Sequence, residues 1–160
     1  MLYFHSMEIK ELKKRPLVNG NKKLTSAYNQ FVQLINELRK RDLPIEIINA
    51  INNEIKHLNS IPESGKVLKK EIKKSQSRIL KLIEKELKLV TKNHYRNTWM
   101  PLGMAAFGIP IGVVFGASLG NMAFLGIGLP LGMVMGLALG SGMDKKAFDA
   151  GNQLQIEITY

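Results

Sequence analysis

The chain of 160 residues contains no cysteine. This absence excludes disulfide bonds, thiolate zinc sites and cysteine nucleophiles. A second absence is local, because the 47 consecutive residues 97–143 include no Asp, Glu, Lys or Arg. The mean hydropathy of −0.05 resembles that of a soluble protein, but it averages two very different stretches of chain.

Charge divides the sequence into three parts. Residues 1–96 hold 21 Lys and Arg against 10 Asp and Glu, whereas residues 144–160 hold two Lys and three acidic residues. We therefore predict a basic cytoplasmic helical region at 1–96, a transmembrane hairpin at 97–143 and a short cytoplasmic tail at 144–160. The predicted fold class is all-α.

Helical spacing of apolar residues recurs through the basic region. Residues 7–14 are predicted to form a short basic turn or helix, followed by a turn at Asn19-Gly20. Asp42 is predicted to cap the helix that follows it. Three stripes of apolar residues at helical spacing indicate three helices. These helices are predicted to form an antiparallel three-helix bundle or coiled coil, since each helix alone would expose its apolar face to water. The stripes comprise Leu24, Tyr28, Phe31, Ile35 and Leu38; Pro44, Ile47, Ile48, Ile51, Ile55 and Leu58; and Leu68, Ile72, Ile79, Ile83 and Val90.

The apolar block is long enough for two membrane spans, since each needs ~20 residues to cross ~30 Å of hydrocarbon. We predict spans at about 98–119 and 122–141, joined by Gly120-Asn121, where both residues tolerate a left-handed backbone. Positive charges flank the block while the turn has none, so the positive-inside rule predicts a multi-pass protein of the cell membrane with both termini in the cytoplasm. The predicted membrane-interface residues are Tyr95, Arg96, Trp99, Lys145 and Lys146.

A 20-residue repeat lies inside the block. Residues 108–120 and 128–140 both read G-x-P-x-G-x-x-x-G-x-x-x-G. Glycine at every fourth position makes a flat stripe that lets two helix backbones approach closely in lipid. Pro110 and Pro130 are predicted to kink the helices. The predicted helix-packing residues are Gly108, Gly112, Gly116, Gly120, Gly128, Gly132, Gly136 and Gly140.

Counting outward from the turn predicts which glycines meet. Gly112 is expected to face Gly128, and Gly108 to face Gly132. Gly136 and Gly140 have no glycine partner in this count. They are therefore predicted to serve contacts between protomers, which favours a homo-oligomer.

The two repeats, the Asn-containing turn and the following Met143-Asp144-Lys145-Lys146-Ala147 resemble the small glycine-zipper family of bacterial membrane proteins. The resemblance covers about residues 100–150. It implies a membrane location, and it supplies no catalytic or cofactor-binding residue.

Two motifs match part of a known chemical site but lack the rest of it. Gly136-x-x-x-Gly140-x-Gly142 matches a dinucleotide-binding pattern, but no strand precedes it and only 18 residues follow. Glu54-x-x-His57 has the spacing of a di-iron ligand pair, but the second pair that such a site needs is missing, and a solvated polar face is favoured. We expect no metal, no cofactor and no enzymatic activity.

The sequence is compatible with three functions. In the first, the hairpin anchors or oligomerises in the membrane while the helical region recruits an unknown cytoplasmic protein. The alternative is a pore-forming or membrane-disrupting effector assembled through the glycine stripes. A soluble oligomer that hides its hairpin until triggered is the third. The lysine runs at 69–70 and 73–74 favour anionic lipid as a partner over nucleic acid. A solvated helix face explains them without any partner, because Glu71, Glu84 and Glu86 are interleaved with the lysines, and it is the commoner case. The alternating tail residues from Leu154 to Tyr160 are expected to form a disordered end rather than a strand for a partner.

Overall fold

The computed structural model describes residues 8–15, 22–62 and 65–158. The chain divides into two compact units, Met1–Leu89 and Val90–Tyr160. The predicted all-α class is confirmed. The helices of the described ranges are α1 (Lys22–Arg39), α2 (Ile45–Ser60), α3 (Gly65–Leu87), α4 (His94–Ser118) and α5 (Met122–Asp149).

The first unit is a small helical bundle in which α3 packs against both α1 and α2. Its core forms because the apolar residues recur at helical spacing and each helix buries one face. Leu34 belongs to the core although the sequence stripe omits it, whereas Tyr28 stays partly exposed. The fully buried side chains of these three helices are Phe31, Leu34, Leu38, Ile51, Ile55, Leu58, Ile72, Ser75, Ile79 and Ile83.

The predicted Asp42 cap is wrong. Helix α2 begins at Ile45, and Pro44 occupies the N-cap position with φ −56° and ψ 148°. The carbonyl of Pro44 accepts hydrogen bonds from the backbone N–H groups of Ile47 and Ile48. Proline suits this position because its ring already holds φ near the observed value and because it has no N–H group that needs a hydrogen-bond partner.

The predicted stripe of α3 extends too far. Lys88 adopts a left-handed backbone with φ 58°, which ends the helix at Leu87. Val90 therefore lies outside α3. Its N–H donates to the carbonyl of Asn152, and its carbonyl accepts from Leu154 N–H.

The predicted short helix at 7–14 is also wrong where the structure describes it. Residues 8–15 form no helical turn. Their backbone groups instead pair with side chains of α1 and α2, which competes with local helix formation. The predicted turn at Asn19-Gly20 lies outside the described residues.

The second unit is an antiparallel pair of helices, and both are long and apolar enough to cross a membrane. Helix α4 starts four residues before the predicted span, and α5 continues eight residues beyond its predicted end. In the turn, only Gly120 is left-handed, with φ 66°. Asn121 is extended, with φ −142°, and its side-chain oxygen accepts from Ala123 N–H as the N-cap of α5.

The predicted disordered end is wrong for residues 152–158. Gly151, with φ 72°, ends α5, and Asn152 N–H donates back to the carbonyl of Ala147. The tail then runs parallel to residues 90–92, with a bridge between Val90 and Gln153. Alternation directs one side of this extended segment inward, and Leu154, Ile156 and Ile158 are buried. Tyr160 lies outside the described residues.

Candidate functional site

Glycine occupies the inner face of the hairpin. Every buried residue of α4 and α5 is a glycine, apart from Asp144. The helix axes can approach because no Cβ atom stands between them. The buried glycines are Gly103, Gly108, Gly112 and Gly116 on α4, and Gly128, Gly132, Gly136 and Gly140 on α5.

The structure places the predicted pairs opposite each other. A Cβ added at Gly128 would lie 2.6 Å from the Cα of Gly112, and one added at Gly132 would lie 2.6 Å from the Cα of Gly108. Towards the turn, a Cβ at Gly112 would lie 2.7 Å from the carbonyl oxygen of Leu125. These are backbone atoms, so a larger residue cannot be accommodated by moving one side chain.

The prediction that Gly136 has no glycine partner across the hairpin is wrong, whereas Gly140 indeed faces no glycine. Both residues nevertheless lie against α4 of the same chain. A Cβ at Gly136 would lie 3.1 Å from the Cα of Gly103, and one at Gly140 would lie 2.5 Å from the Cα of Arg96. The count from the turn considered only the glycines of the repeat, and Gly103 is not among them. Both residues are used within one chain, and Gly120, with open space around it, shapes the turn instead.

A π-helical turn at Met104–Gly108 keeps the α4 glycines on one face. Gly103 and Gly108 are five residues apart, one more than the spacing of the repeat, and the wider turn absorbs the extra residue. Ile109 N–H accordingly donates to the carbonyl of Met104. The repeat does not predict Gly103 at this face, because the spacing of Gly103 lies outside it.

The two predicted kink residues differ in their surroundings. Pro110 lies two residues after the last residue of the π-helical turn, in the first turn of the α-helical stretch that follows it. Pro130 lies inside α5, which is α-helical on both sides of it. The kinks at the two prolines stay predictions.

Asp144 joins the open end of the hairpin. It lies four residues after Gly140 on the same face of α5 and is only 8 % exposed. Its carboxylate oxygens accept hydrogen bonds from Tyr95 N at 3.0 Å and Arg96 N at 2.9 Å, in the first turn of α4. Asn93, the N-cap residue of α4, makes no side-chain cap bond, so Asp144 supplies the acceptor and a negative charge that favours the helix N-terminus.

The outer surface of the hairpin is apolar. Val114 is 65 % exposed and Val134 62 % exposed. This distribution is the reverse of a soluble core, where large apolar side chains are inside. The other exposed large apolar residues of the two helices are Leu102, Phe107, Ile109, Val113, Phe115, Met122, Ile127, Leu131, Met133, Met135, Leu139 and Phe148.

The predicted interface residues lie at the open end of the hairpin. Tyr95 and Trp99 are partly exposed, while Arg96, Lys145 and Lys146 are exposed. The backbone of Trp99 also contacts the face of Gly136. These five residues are thus grouped at the same end of the two helices as Asp144.

Glu54 and His57 of α2 make polar side-chain contacts with α3. Glu54 accepts from Ser75 Oγ at 2.6 Å and pairs with Arg78 at 3.2 Å, and His57 lies 3.6 Å from Glu71. The hydrogen bond from Lys74 is the largest influence that lowers the pKa of Glu71. No group of three or more His, Asp or Glu residues suited to a metal ion occurs in the described ranges.

No protein-family model, curated protein or solved structure matches this chain.

Proposed function

We propose that the chain is a non-enzymatic integral membrane protein of the cell membrane. Its α4–α5 hairpin is the anchor, both termini lie in the cytoplasm, and the helical unit recruits a protein partner. The reversed burial of the hairpin carries the proposal, since glycines are inside and large apolar side chains are outside. The resemblance to the glycine-zipper family agrees with this assignment.

Hydrophobic energetics favour lipid as the surroundings of the hairpin. Exposed apolar surface is unfavourable in water by roughly 25 cal/mol per Å². Lipid removes that penalty, and helices satisfy their own backbone hydrogen bonds within the hydrocarbon. Close glycine contact then stabilises the pair through dispersion and Cα–H···O interactions.

The pore alternative depended on glycines left free for contacts between protomers. Gly136 and Gly140 are instead in contact with α4 of the same chain. No charged residue lines a path through residues 97–143. The anchor therefore remains the better supported function. Any homo-oligomer would form through the outer apolar surface of the hairpin.

The membrane location predicts a defined topology, which can be measured because the chain lacks cysteine. An Asn121→Cys variant should react with an impermeant thiol reagent from outside intact cells. A Lys146→Cys variant should react only after lysis. Both variants should stay in the membrane pellet after alkaline carbonate extraction. Release by carbonate, or labelling of both positions from the same side, would contradict the proposal.

Anionic lipid is proposed as an additional partner of the helical unit. Lys66, Lys70, Lys73, Lys81 and Lys85 are exposed on α3. Basic side chains near an anionic surface contribute ~1 kcal/mol each, and salt screens this attraction.

If anionic lipid is a partner, the helical unit should bind anionic vesicles in a salt-sensitive way. Residues 1–89 expressed alone should bind vesicles containing phosphatidylserine at low salt and release them at high salt. Lys70→Glu with Lys73→Glu should weaken binding about tenfold or more, as reversing two ~1 kcal/mol contacts requires. Lys56→Glu on α2 is the matched control and should have a much smaller effect. Binding that ignores salt would exclude the electrostatic attachment.

A further inference from the structure

Two asparagines of α2 hold the backbone of residues 8–13. Asn52 Oδ1 accepts from Lys10 N at 2.7 Å, and Asn52 Nδ2 donates to the carbonyl of Glu8 at 3.2 Å. Asn59 repeats the arrangement three residues further along the segment, at 2.8 Å to Lys13 N and 3.2 Å to the carbonyl of Glu11. Each side-chain amide therefore pairs with an N–H and a carbonyl, as a neighbouring strand would.

The spacing of the two asparagines matches an extended peptide. Asn59 follows Asn52 by seven positions on α2, which corresponds to a rise of ~10.5 Å along a helix. Three residues of extended or polyproline II chain cover ~9–10 Å. The two amides thus form a regular ladder that binds the backbone of an extended segment, and the side chains of the segment add the remaining contacts.

The inward side chains of the segment follow the same three-residue period. Ile9 is buried, and Leu12 and Arg15 are partly buried, while the residues between them are exposed. Arg15 Nη2 donates to the carbonyl of Leu58 at 2.8 Å. The segment therefore presents an apolar, an apolar and an arginine side chain to the protein at positions one, four and seven.

Helix α1 forms the opposite wall of this cleft. Arg39 donates to the carbonyl of Ile9 through Nη2 at 2.8 Å, and Tyr28 donates to the carbonyl of Lys13 at 3.1 Å. Burial raises the pKa of the Tyr28 phenol above its usual value. Residues 8–15 thus lie in a cleft whose two walls, α1 and α2, both bind peptide backbone.

The built-in segment fits the cleft imperfectly. Arg15 Nη1 is buried, and it has no hydrogen-bond partner among the described residues. A half-open pocket of about 710 Å³ adjoins Ile9, and its lining combines the apolar Leu38, Leu43 and Ile48 with charged residues that include Arg39, Arg41 and Asp42. A larger apolar side chain at the position of Ile9 would extend into this pocket and contact its apolar wall.

We propose that the α1–α2 cleft is a binding site for an extended peptide segment of a separate protein, and that residues 8–15 block it as a built-in competitor. The ligand pattern is a large apolar residue, a second apolar residue three positions later and an arginine three positions after that. A second copy of this chain is a poorer occupant, because exchange of identical segments replaces like with like and gains no contact. The inference deepens the recruiting role proposed above, but it rests on contacts within residues 8–62 and does not need the membrane.

The test uses the full chain in detergent and a fluorescent peptide with the sequence of residues 8–15. The host is the Ile9→Asp variant, in which a charge at a buried position releases the built-in segment. The peptide should bind this host at least tenfold more tightly than it binds the wild-type chain, where a tethered competitor acts at millimolar effective concentration. A peptide with Phe in place of Ile9 should bind more tightly still.

Matched variants locate the site. Asn52→Ala with Asn59→Ala in the Ile9→Asp host should abolish binding, whereas Asn53→Ala, an exposed neighbour on α2, should leave it unchanged. Equal binding to all hosts, or none to the Ile9→Asp host, would overturn the proposal. Displacement of the peptide by unlabelled wild-type chain would assign the occupant to a second copy and overturn the separate partner. Carbonate extraction of each variant reports separately on the membrane anchor.

Hydrogen exchange on the wild-type chain keeps the proposal testable should Ile9→Asp misfold. The amides of Lys10 and Lys13 should be protected. Asn52→Ala should abolish the protection of the Lys10 amide only, and Asn59→Ala should abolish the protection of the Lys13 amide only. Rapid exchange of both amides in the wild-type chain would contradict the ladder.

Discussion

Gly132→Leu should separate the two helices of the hairpin and destabilise the folded protein by about 3 kcal/mol or more, at the upper end of the cost of overpacking a well-packed interior. A Cβ at this position would meet the backbone of Gly108 and Gly103 rather than a movable side chain. Unfolding in detergent by added dodecyl sulfate, followed through the fluorescence of Trp99, measures the effect, since Trp99 is the only tryptophan.

Gly126→Leu is the matched control for that substitution. Gly126 lies on the same helix, and a Cβ added there has no atom within 4 Å. Its substitution should leave the unfolding midpoint unchanged. Gly136→Leu and Gly140→Leu should destabilise the hairpin as Gly132→Leu does. Unaltered stability in all three would mean that close glycine contact does not hold the helices together.

Asp144→Ala should destabilise the hairpin by about 2 kcal/mol. The substitution leaves the backbone N–H groups of Tyr95 and Arg96 without their acceptor, and charge-assisted hydrogen bonds contribute roughly 1.5–3 kcal/mol. The structural effect of Asp144→Ala should be confined to the open end of the hairpin, where α4 begins. Hydrogen exchange at the Tyr95 and Arg96 amides should accelerate, while the turn near Asn121 should exchange as before.

Two further variants test the role of the Asp144 charge. Asp144→Asn keeps the shape and one acceptor oxygen, so its effect should be intermediate. Asp149→Ala removes an exposed carboxylate from the last turn of α5 and should change stability by no more than about 0.5 kcal/mol. If Asp149→Ala matched Asp144→Ala, net charge rather than the cap would explain the loss.

The sequence predicted the helices and the hairpin because both depend on local signals. Apolar spacing identified three helices of the first unit, and a long uncharged run identified two helices that are long and apolar enough to cross a membrane. The four-residue glycine period also indicated which face of α5 is inward. These features need no knowledge of distant contacts, since periodicity alone assigns a face to each helix.

Features that depend on distant contacts were missed. Asp144 lies 48 residues from the backbone N–H of Arg96, and nothing local marks it as the cap of α4. Gly103 is brought to the inner face only by a π-helical turn. The ladder from Asn52 and Asn59 to residues 8–13 joins positions more than 40 residues apart. The tail is ordered because it pairs with residues 90–92, a partner that its own alternating pattern does not identify.

Spin-label accessibility in a bilayer tests the central claim most directly, which is that the outer apolar face of the hairpin contacts lipid. Nitroxides would be attached to Phe107→Cys and Leu131→Cys, which lie on the exposed surface of α4 and α5, and to Asn121→Cys in the turn. The first two labels should collide with oxygen much more often than with a water-soluble nickel complex, and the label in the turn should show the reverse preference. Equal access of the nickel complex to all three positions would contradict a hairpin embedded in the membrane.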